Sequence, residues 1–427
     1  MDRLIARISE SLYTIPVAIM LACALLALVG LQLDTLVDEE SRLWLLDTTV
    51  AGGRAIASAV AGATITVAAI VFSITALTTQ MASNQYSPRA LGEFFEDRFQ
   101  QSVIGLVVGT FTYSLLVLGS LGGGVSDGSA ASPSVSATIA IVLGVGSALG
   151  IVAYINHSLR RMQIDSVVRR IAAGSIDAIE RHLERRKHQD HTETPPPRGT
   201  SRGIRAESGG WVVGIDEKAM LDALPPGATC RVDVRLGQAV STGDRILTVW
   251  TDLGDDWNGE RAVRRSIVTA QERSIELDPT FGIRQLVDIA LRALSSGVND
   301  PTTAVDVIHH LKMPVRTILL SDPPQRVFSG SEERRVFLPS TPGRADYVHG
   351  AFSEIRLAAA AQPYVLGALM EVLTELISDL REANLGEREG PVVEEFEETV
   401  STVRGSGLPE VDLKRLLEGT PVQELLD

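Results

Sequence analysis

The sequence has few cysteines and no surplus of positive charge, and each shortage excludes a class of protein. Of 427 residues only Cys23 and Cys230 are cysteines, in an apolar and a soluble stretch respectively, so a disulfide framework or a cysteine-based metal site within one chain is excluded. The net charge of −14 argues against nucleic acid as a partner. The seven histidines show no metal-ligand spacing, and we therefore expect no metal ion.

The sequence also lacks the side chains that catalysis needs in one place. No stretch combines a nucleophile, a base and a group to orient that base. Within the apolar runs no Asp, Glu or His is available for chemistry except His157, at the edge of the last one. We therefore expect no catalytic residues, no cofactor and no enzymatic activity.

What the sequence does have is long apolar runs, all within the first 156 residues, and a mean hydropathy of +0.15 over the whole chain. A helix needs about 20 apolar residues to cross a bilayer. We predict a transmembrane domain over residues 1–158, with spans at about 15–33, 55–79, 102–121 and 135–156. The third and fourth spans carry the glycine pairs Gly105 with Gly109 and Gly146 with Gly150, a spacing that lets membrane helices pack closely.

The orientation of the spans follows from the positive charges near their ends. One side has only Arg42 and Arg54, and the other has eight arginines: Arg3, Arg7, Arg89, Arg98, Arg160, Arg161, Arg169 and Arg170. Positive charge accumulates on the cytoplasmic side of a membrane protein. Both termini are therefore expected in the cytoplasm.

The second span is unusual because a seam of small and polar side chains runs along it. No charged residue stands between Arg54 and Arg89, and steps of four and three residues select the seam: Ala55, Ala59, Gly62, Thr66, Ala69, Ser73, Ala76, Gln80 and Ser83. A helix face of small and polar residues makes few favourable contacts with lipid, so we expect this face to contact protein or water. Two interpretations remain open. The seam is a face for close helix packing, or it lines a polar pathway with Thr66, Ser73 and Gln80 toward a permeant species.

The soluble remainder is expected to be a cytoplasmic α+β region with several parts. An amphipathic helix over residues 159–190 leaves the membrane, and 191–208 is a linker rich in Pro, Thr and Gly. Residues 209–275 predict a small β-barrel-like subdomain, because the glycine spacing around Gly237 and Gly243 is similar to the hairpin of barrel-sandwich carrier domains. A helical subdomain over 276–385 and an acidic C-terminal tail over 386–427 complete the chain.

The helical subdomain contains a cluster of charged residues. Asp278-Pro279 and Asp300-Pro301 each predict the start of a helix. In the first helix three charged residues stand four apart and form one ladder, Arg284, Asp288 and Arg292. The ladder is either a structural set of ion pairs or part of an anion pocket whose further polar contacts come from the following turn: Asn299, Asp300, Thr302 and Thr303.

Three segments resemble one known family. They are ITVAAIVFSITALTTQMASNQYSPRAL, the segment from GWVVGID to VRLGQAVSTGD, and DPTFGIRQLVDIALRALSSGVNDPTTA. They are similar to bacterial predicted membrane proteins catalogued as domain of unknown function 2254. The resemblance implies a multi-pass protein of the bacterial inner membrane with four spans and a cytoplasmic region. It implies no established activity.

Two functional hypotheses follow. The preferred one is a homo-oligomeric channel- or transporter-like protein in the lipid bilayer, in which the second span lies at a shared axis and an ion or small solute passes. The alternative is a membrane-anchored cytoplasmic module that binds a ligand or acts as a sensor without transport. The sequence alone leaves the choice between them open.

Overall fold

The computed structural model of the chain describes residues 14–36, 48–85, 98–122, 132–161, 164–184, 201–251, 257–275, 278–340 and 342–418. The chain divides into two compact units, Met1–Gln163 and Ile164–Asp427. In the residues that the structure describes, the first unit consists of apolar helices, and the second combines helices with short strands. The change of composition after the fourth apolar run thus coincides with a structural boundary.

Four long helices form the described part of the first unit. They are α1 (Thr14–Leu36), α2 (Val50–Gln85), α3 (Arg98–Gly122) and α4 (Ser134–Arg161). Each is long and apolar enough to cross a membrane. The prediction of four candidate spans is confirmed. At 1.5 Å per residue α2 is about 54 Å long, which exceeds the hydrocarbon core of about 30 Å.

Two glycines of α3 face α1 and allow close packing. A Cβ atom on Gly105 would lie 3.0 Å from Pro16 Cα, and one on Gly109 would lie 2.8 Å from Cys23 Sγ. Both distances are too short for a larger side chain, so the glycines set the approach of the two helices. Gly146 of α4 is different, since a Cβ atom there would meet no described atom within 4 Å.

The second unit contains two β-sheets. Its strands are β1 (Ser201–Arg205), β2 (Gly210–Ile215), β3 (Thr229–Val232), β4 (Ala239–Val240), β5 (Arg245–Trp250), β6 (Ile267–Ala270), β7 (Val327–Ser329) and β8 (Arg335–Phe337). The larger sheet has the order β1-β5-β3-β8-β7 and the smaller one β4-β2-β6. β3 and β8 are parallel, with Cys230 opposite Val336, and the other pairs are antiparallel.

These sheets correct the prediction of a barrel-like subdomain. They share one hydrophobic core, which includes Val212, Cys230 and Leu247, but they form no closed barrel within the described residues. β8 pairs with the edge of β3 that β5 leaves open, so that edge is not available to the smaller sheet. The end of the predicted linker, residues 191–208, is also structured. Residues Ser201–Arg205 form β1, which pairs with β5.

Nine α-helices accompany the sheets in the described part of the second unit. They are α5 (Ile164–Glu184), α6 (Glu217–Ala223), α7 (Glu260–Arg265), α8 (Pro279–Ala293), α9 (Pro301–Leu320), α10 (Arg344–Ala358), α11 (Pro363–Glu382), α12 (Gly390–Gly405) and α13 (Glu410–Glu418). α8 and α9 begin where the two Asp-Pro pairs predict. Asp278 accepts a hydrogen bond from Thr280 N, and Asp300 accepts one from Thr303 N.

The stretch predicted as an acidic tail, residues 386–427, contributes to the folded core. α12 buries four apolar side chains, Val392, Phe396, Val400 and Val403. Their spacing of three and four residues places them on one face of the helix. Glu394 and Glu397 are exposed. Two of the four glutamates of α12 thus lie on the solvent side of an amphipathic helix, whereas Glu395 is buried.

Candidate functional site

Helix α2 has two opposite faces, and only one of them packs within the first unit. The buried positions are Gly53, Ala57, Ala61, Thr64 and Val71. At 100° per residue they lie on the side of the helix opposite the predicted seam. The other described helices of the first unit therefore do not cover the seam.

Every predicted seam position whose side chain is described is exposed. These are Ala55, Ala59, Gly62, Thr66, Ala69, Ser73, Ala76 and Gln80, while the side chain of Ser83 lies outside the described residues. Large apolar residues flank the seam: Ile65, Ile70, Phe72 and Leu77 are 51%, 47%, 61% and 56% exposed. The outward face of α2 is thus a strip of small and polar residues between apolar borders.

The hydroxyl groups of the two seam residues Thr66 and Ser73 are paired within the helix. Thr66 Oγ1 donates to Gly62 O at 2.9 Å, and Ser73 Oγ donates to Ala69 O at 2.9 Å. This pairing lets the face meet an apolar neighbour without an unsatisfied donor. The hydroxyl oxygens keep lone pairs that water or a cation could use. The geometry is therefore compatible with both interpretations of the seam.

The charged ladder of α8 is half-buried and rich in carboxylates. Arg284 Nη2 lies 2.6 Å from Asp288 Oδ1, and Arg284 Nη1 also donates to Glu354 of α10. The hydrogen bond to Glu354 is the main cause of the raised pKa of Arg284. Arg292 lies on the same helix and is also half-buried. Because carboxylates already compensate Arg284, this geometry favours a structural ladder between α8 and α10.

The turn after α8 has a similar structural character. Asp300 caps α9: its Oδ1 accepts from Thr303 N at 3.1 Å and its Oδ2 accepts from Thr303 Oγ1 at 2.6 Å. Asn299 adopts a left-handed φ of 51°, and its Oδ1 accepts from Gln362 Nε2 at 3.3 Å. Thr302 is exposed. An anion at this place would lie beside the carboxylate of Asp300, which disfavours the anion-pocket interpretation.

Sequence reasoning missed one buried carboxylate of the first unit. Asp34, near the end of α1, is 6% exposed and accepts hydrogen bonds from Val135 N at 2.7 Å and from Ser136 N and Oγ. It therefore caps α4, where unpaired backbone N–H groups and the helix dipole favour an anion. Tyr113 Oη donates to Ser136 O at 3.0 Å and holds the same turn.

Two groups of side chains have ligand atoms close enough to share a cation, but an arginine already pairs with carboxylates of each group. The first is His349, Glu395 and Glu398, and the second is Asp165, Asp306 and His310. Arg356 bonds both glutamates of the first group, and Arg169 Nη2 lies 2.6 Å from Asp165 in the second. The guanidinium groups supply the positive charge that the carboxylates require. Neither group is therefore assigned as a metal site.

The chain is similar to one family of proteins and to three relatives in mycobacteria. The family described as "Predicted membrane protein (DUF2254)" matches residues 9–375. An uncharacterized protein of Mycobacterium bovis is 31% identical over 362 residues, which are 82% of this chain and 68% of that protein. Uncharacterized proteins of two Mycobacterium tuberculosis strains are 31% and 30% identical with the same coverage. No solved structure matches the chain.

Proposed function

The chain belongs to the DUF2254 family of predicted membrane proteins, and we propose, from the exposed seam of α2, that it is a homo-oligomeric channel- or transporter-like protein. In this proposal copies of α2 surround a shared axis, and an ion or small solute passes along their seams. The second unit serves as an assembly or regulatory region. The proposal assigns no catalytic activity and no cofactor.

One observation carries the proposal: the seam of α2 faces away from the helices of its own unit. Gly62 is the third of its nine positions, and a Cβ atom there would meet no described atom within 4 Å. Small residues that face lipid forfeit van der Waals contact, and the exposed amide of Gln80 would add the cost of a polar group in hydrocarbon. A second copy of the chain, or water enclosed by several copies, would remove both costs.

The proposed location is the inner membrane of a bacterium, with both termini in the cytoplasm. Support comes from the eight arginines near the ends of the spans on one side, against two on the other. The bacterial origin of the relatives agrees with this location. The second unit would then lie in the cytoplasm.

Gly62→Leu tests the assembly. In one copy the seam is open at this position, so the variant should fold as a monomer, whereas in the oligomer the added side chain would separate neighbouring α2 helices. We expect native mass spectrometry of the detergent-purified protein to show loss of the oligomer. Gly119→Leu is the matched control, because Gly119 of α3 is also exposed and open.

Transport is measured on the same proteins in liposomes, with swelling in potassium chloride and in small neutral solutes as the readout. The unchanged chain and Gly119→Leu should give flux above that of empty liposomes, and Gly62→Leu should not. A folded, oligomeric chain without flux would contradict the transport proposal and leave the alternative, a membrane-anchored binding or sensor module. An oligomer that Gly62→Leu leaves intact would show that the seam is not its interface.

A further inference from the structure

The second unit contains a cleft of about 450 Å³ that the function proposed for α2 does not use. It lies between α5, the segment that joins α9 to β7, and the start of α10. Its volume falls within the range of about 300–1,000 Å³ that is typical of small-molecule sites. Ile179, Leu183 and Ile318 give it an apolar wall. That wall suits the hydrophobic body of a ligand.

The polar wall of the cleft is basic, although the whole chain has a net charge of −14. His182, Arg326 and Arg344 line it, and Asp322 is the one carboxylate among its lining residues. The Asp322 side chain is 84% exposed, and its Oδ1 accepts from Arg388 Nη2 at 2.6 Å. Because Arg388 neutralises that carboxylate, the local charge favours an anionic ligand.

Arg344 is the group best placed to hold the anion. Its Nη2 donates to Ser321 O at 2.8 Å, whereas its Nε is buried and has no acceptor among the described residues. Burial, followed by the positive charge of Arg388, lowers the pKa of Arg344, against smaller opposing effects of Asp322 and Glu387. Buried donors in folded proteins nearly always have a partner. An anion in the cleft would supply the negative charge that this guanidinium lacks.

A purely structural role for Arg344 is less satisfactory, because the end of α9 is already capped. Arg388 Nη1 donates to the carbonyl oxygens of Leu319, Leu320 and Ser321 at 3.1–3.2 Å. These include the carbonyl that Arg344 contacts. The second guanidinium thus adds a repulsive charge where one arginine already satisfies the helix end.

We propose that this cleft binds a small organic anion, with its phosphate or carboxylate group at Arg344 and its apolar body on Ile179, Leu183 and Ile318. A guanidinium can donate two parallel hydrogen bonds to either anionic group. The proposal is independent of the role of α2. It would give the second unit a ligand-binding function whether or not the first unit transports a solute.

Isothermal titration calorimetry of the full chain in detergent tests this site. The probes are phenyl phosphate, benzoate, inorganic phosphate and phenol. Phenyl phosphate or benzoate should bind about tenfold more tightly than inorganic phosphate or phenol, because only they engage both walls. Arg344→Gln should weaken that binding about tenfold or more. Arg404→Gln is the matched control, since Arg404 is an exposed arginine of α12, and it should bind as the unchanged chain does.

A second variant keeps the test decisive if Arg344→Gln fails to fold. Leu183→Trp leaves Arg344 in place but fills the apolar part of the cleft, and it should also abolish binding. The proposal is overturned if neither organic anion binds at concentrations up to about 10 mM. It is equally overturned if inorganic phosphate binds as tightly as phenyl phosphate, or if Leu183→Trp binds both organic anions normally.

Discussion

Glu395→Ala should lower the thermal unfolding midpoint of the chain by about 6–12 °C. Glu395 of α12 is 3% exposed, and its Oε1 accepts from Arg356 Nε of α10 at 2.9 Å. Removal of one partner of a buried ion pair leaves the other charge unpaired and costs about 3–5 kcal/mol. Arg356 keeps a bond to Glu398, so we expect the lower end of about 3 kcal/mol. In a domain of this size 1 kcal/mol shifts the midpoint by about 2–4 °C.

The control for this prediction is Glu397→Ala. Glu397 lies two residues away on the same helix and is exposed, so its replacement should shift the midpoint by at most about 1–2 °C. Differential scanning fluorimetry of both variants in detergent gives the comparison. Glu395→Gln keeps the side-chain volume and should fall between the two. Equal midpoints for Glu395→Ala and Glu397→Ala would show that the ion pair does not hold α10 and α12 together.

Gly237→Ala should destabilise the second unit by about 3 kcal/mol, because backbone strain of about 1–2 kcal/mol adds to an overpacking cost of about 1–3 kcal/mol. Gly237 has a left-handed φ of 74°, which costs other residues about 1–2 kcal/mol. A Cβ atom there would also overlap Asp278 Oδ2 and lie 2.8 Å from Arg273 Nη2. Asp278 is fully buried, pairs with Arg273 and caps α8, so the clash falls on a network with little freedom to move.

Gly243→Ala separates the two costs. Gly243 also has a left-handed φ, of 91°, but a Cβ atom there would meet no described atom within 4 Å. Its replacement should therefore cost only the backbone strain, about 1–2 kcal/mol. Unfolding midpoints in detergent measure both variants. If Gly237→Ala is no more destabilising than Gly243→Ala, the contact with Asp278 and Arg273 does not constrain the fold.

Local signals allowed the helices to be predicted from the sequence. Uncharged runs longer than a bilayer core gave the four candidate spans. The Asp-Pro pairs at 278 and 300 gave the starts of α8 and α9, because the side-chain cap and the fixed φ of proline act within one turn. The left-handed residue after α8 is Asn299, because asparagine tolerates that conformation better than most other residues.

Contacts between distant parts of the chain were not predictable. The glycine spacing around Gly237 indicated a hairpin, but the parallel partner of β3 is β8, about a hundred residues later. Asp34 likewise caps a helix that begins a hundred residues further on, and nothing near it in sequence indicates this. In α12 the many glutamates led to the prediction of an acidic tail, whereas the spacing of the apolar residues identifies a buried face.

The seam of α2 and the ladder of α8 show what the spacing of residues on one helix can and cannot predict. Its pattern of small residues predicted a face that lipid should not cover, and the structure leaves that face exposed on one copy. The ladder of α8 was predicted as a set of side chains four apart, but its partner Glu354 comes from α10. Spacing on one helix therefore identified both features, while their neighbours depended on the rest of the fold or on other copies of the chain.

The most direct test of the proposed axis is the reactivity of a thiol placed on the seam. Ser73→Cys is nearly isosteric, and the native thiols are first removed by Cys23→Ala and Cys230→Ser. Thiolate forms only where water reaches. A hydrophilic thiol reagent should therefore modify the introduced thiol in the membrane, and also those of Thr66→Cys and Gln80→Cys.

Val142→Cys is the control, because Val142 is 63% exposed on α4 and should face lipid. Mass spectrometry of the protein extracted after labelling counts the modified thiols. We expect modification of the thiols that replace Ser73, Thr66 and Gln80 and none of the thiol that replaces Val142. If the thiol of Ser73→Cys stays unmodified in a protein shown to be folded and oligomeric, the seam is a packing face and the proposed pathway along α2 does not exist.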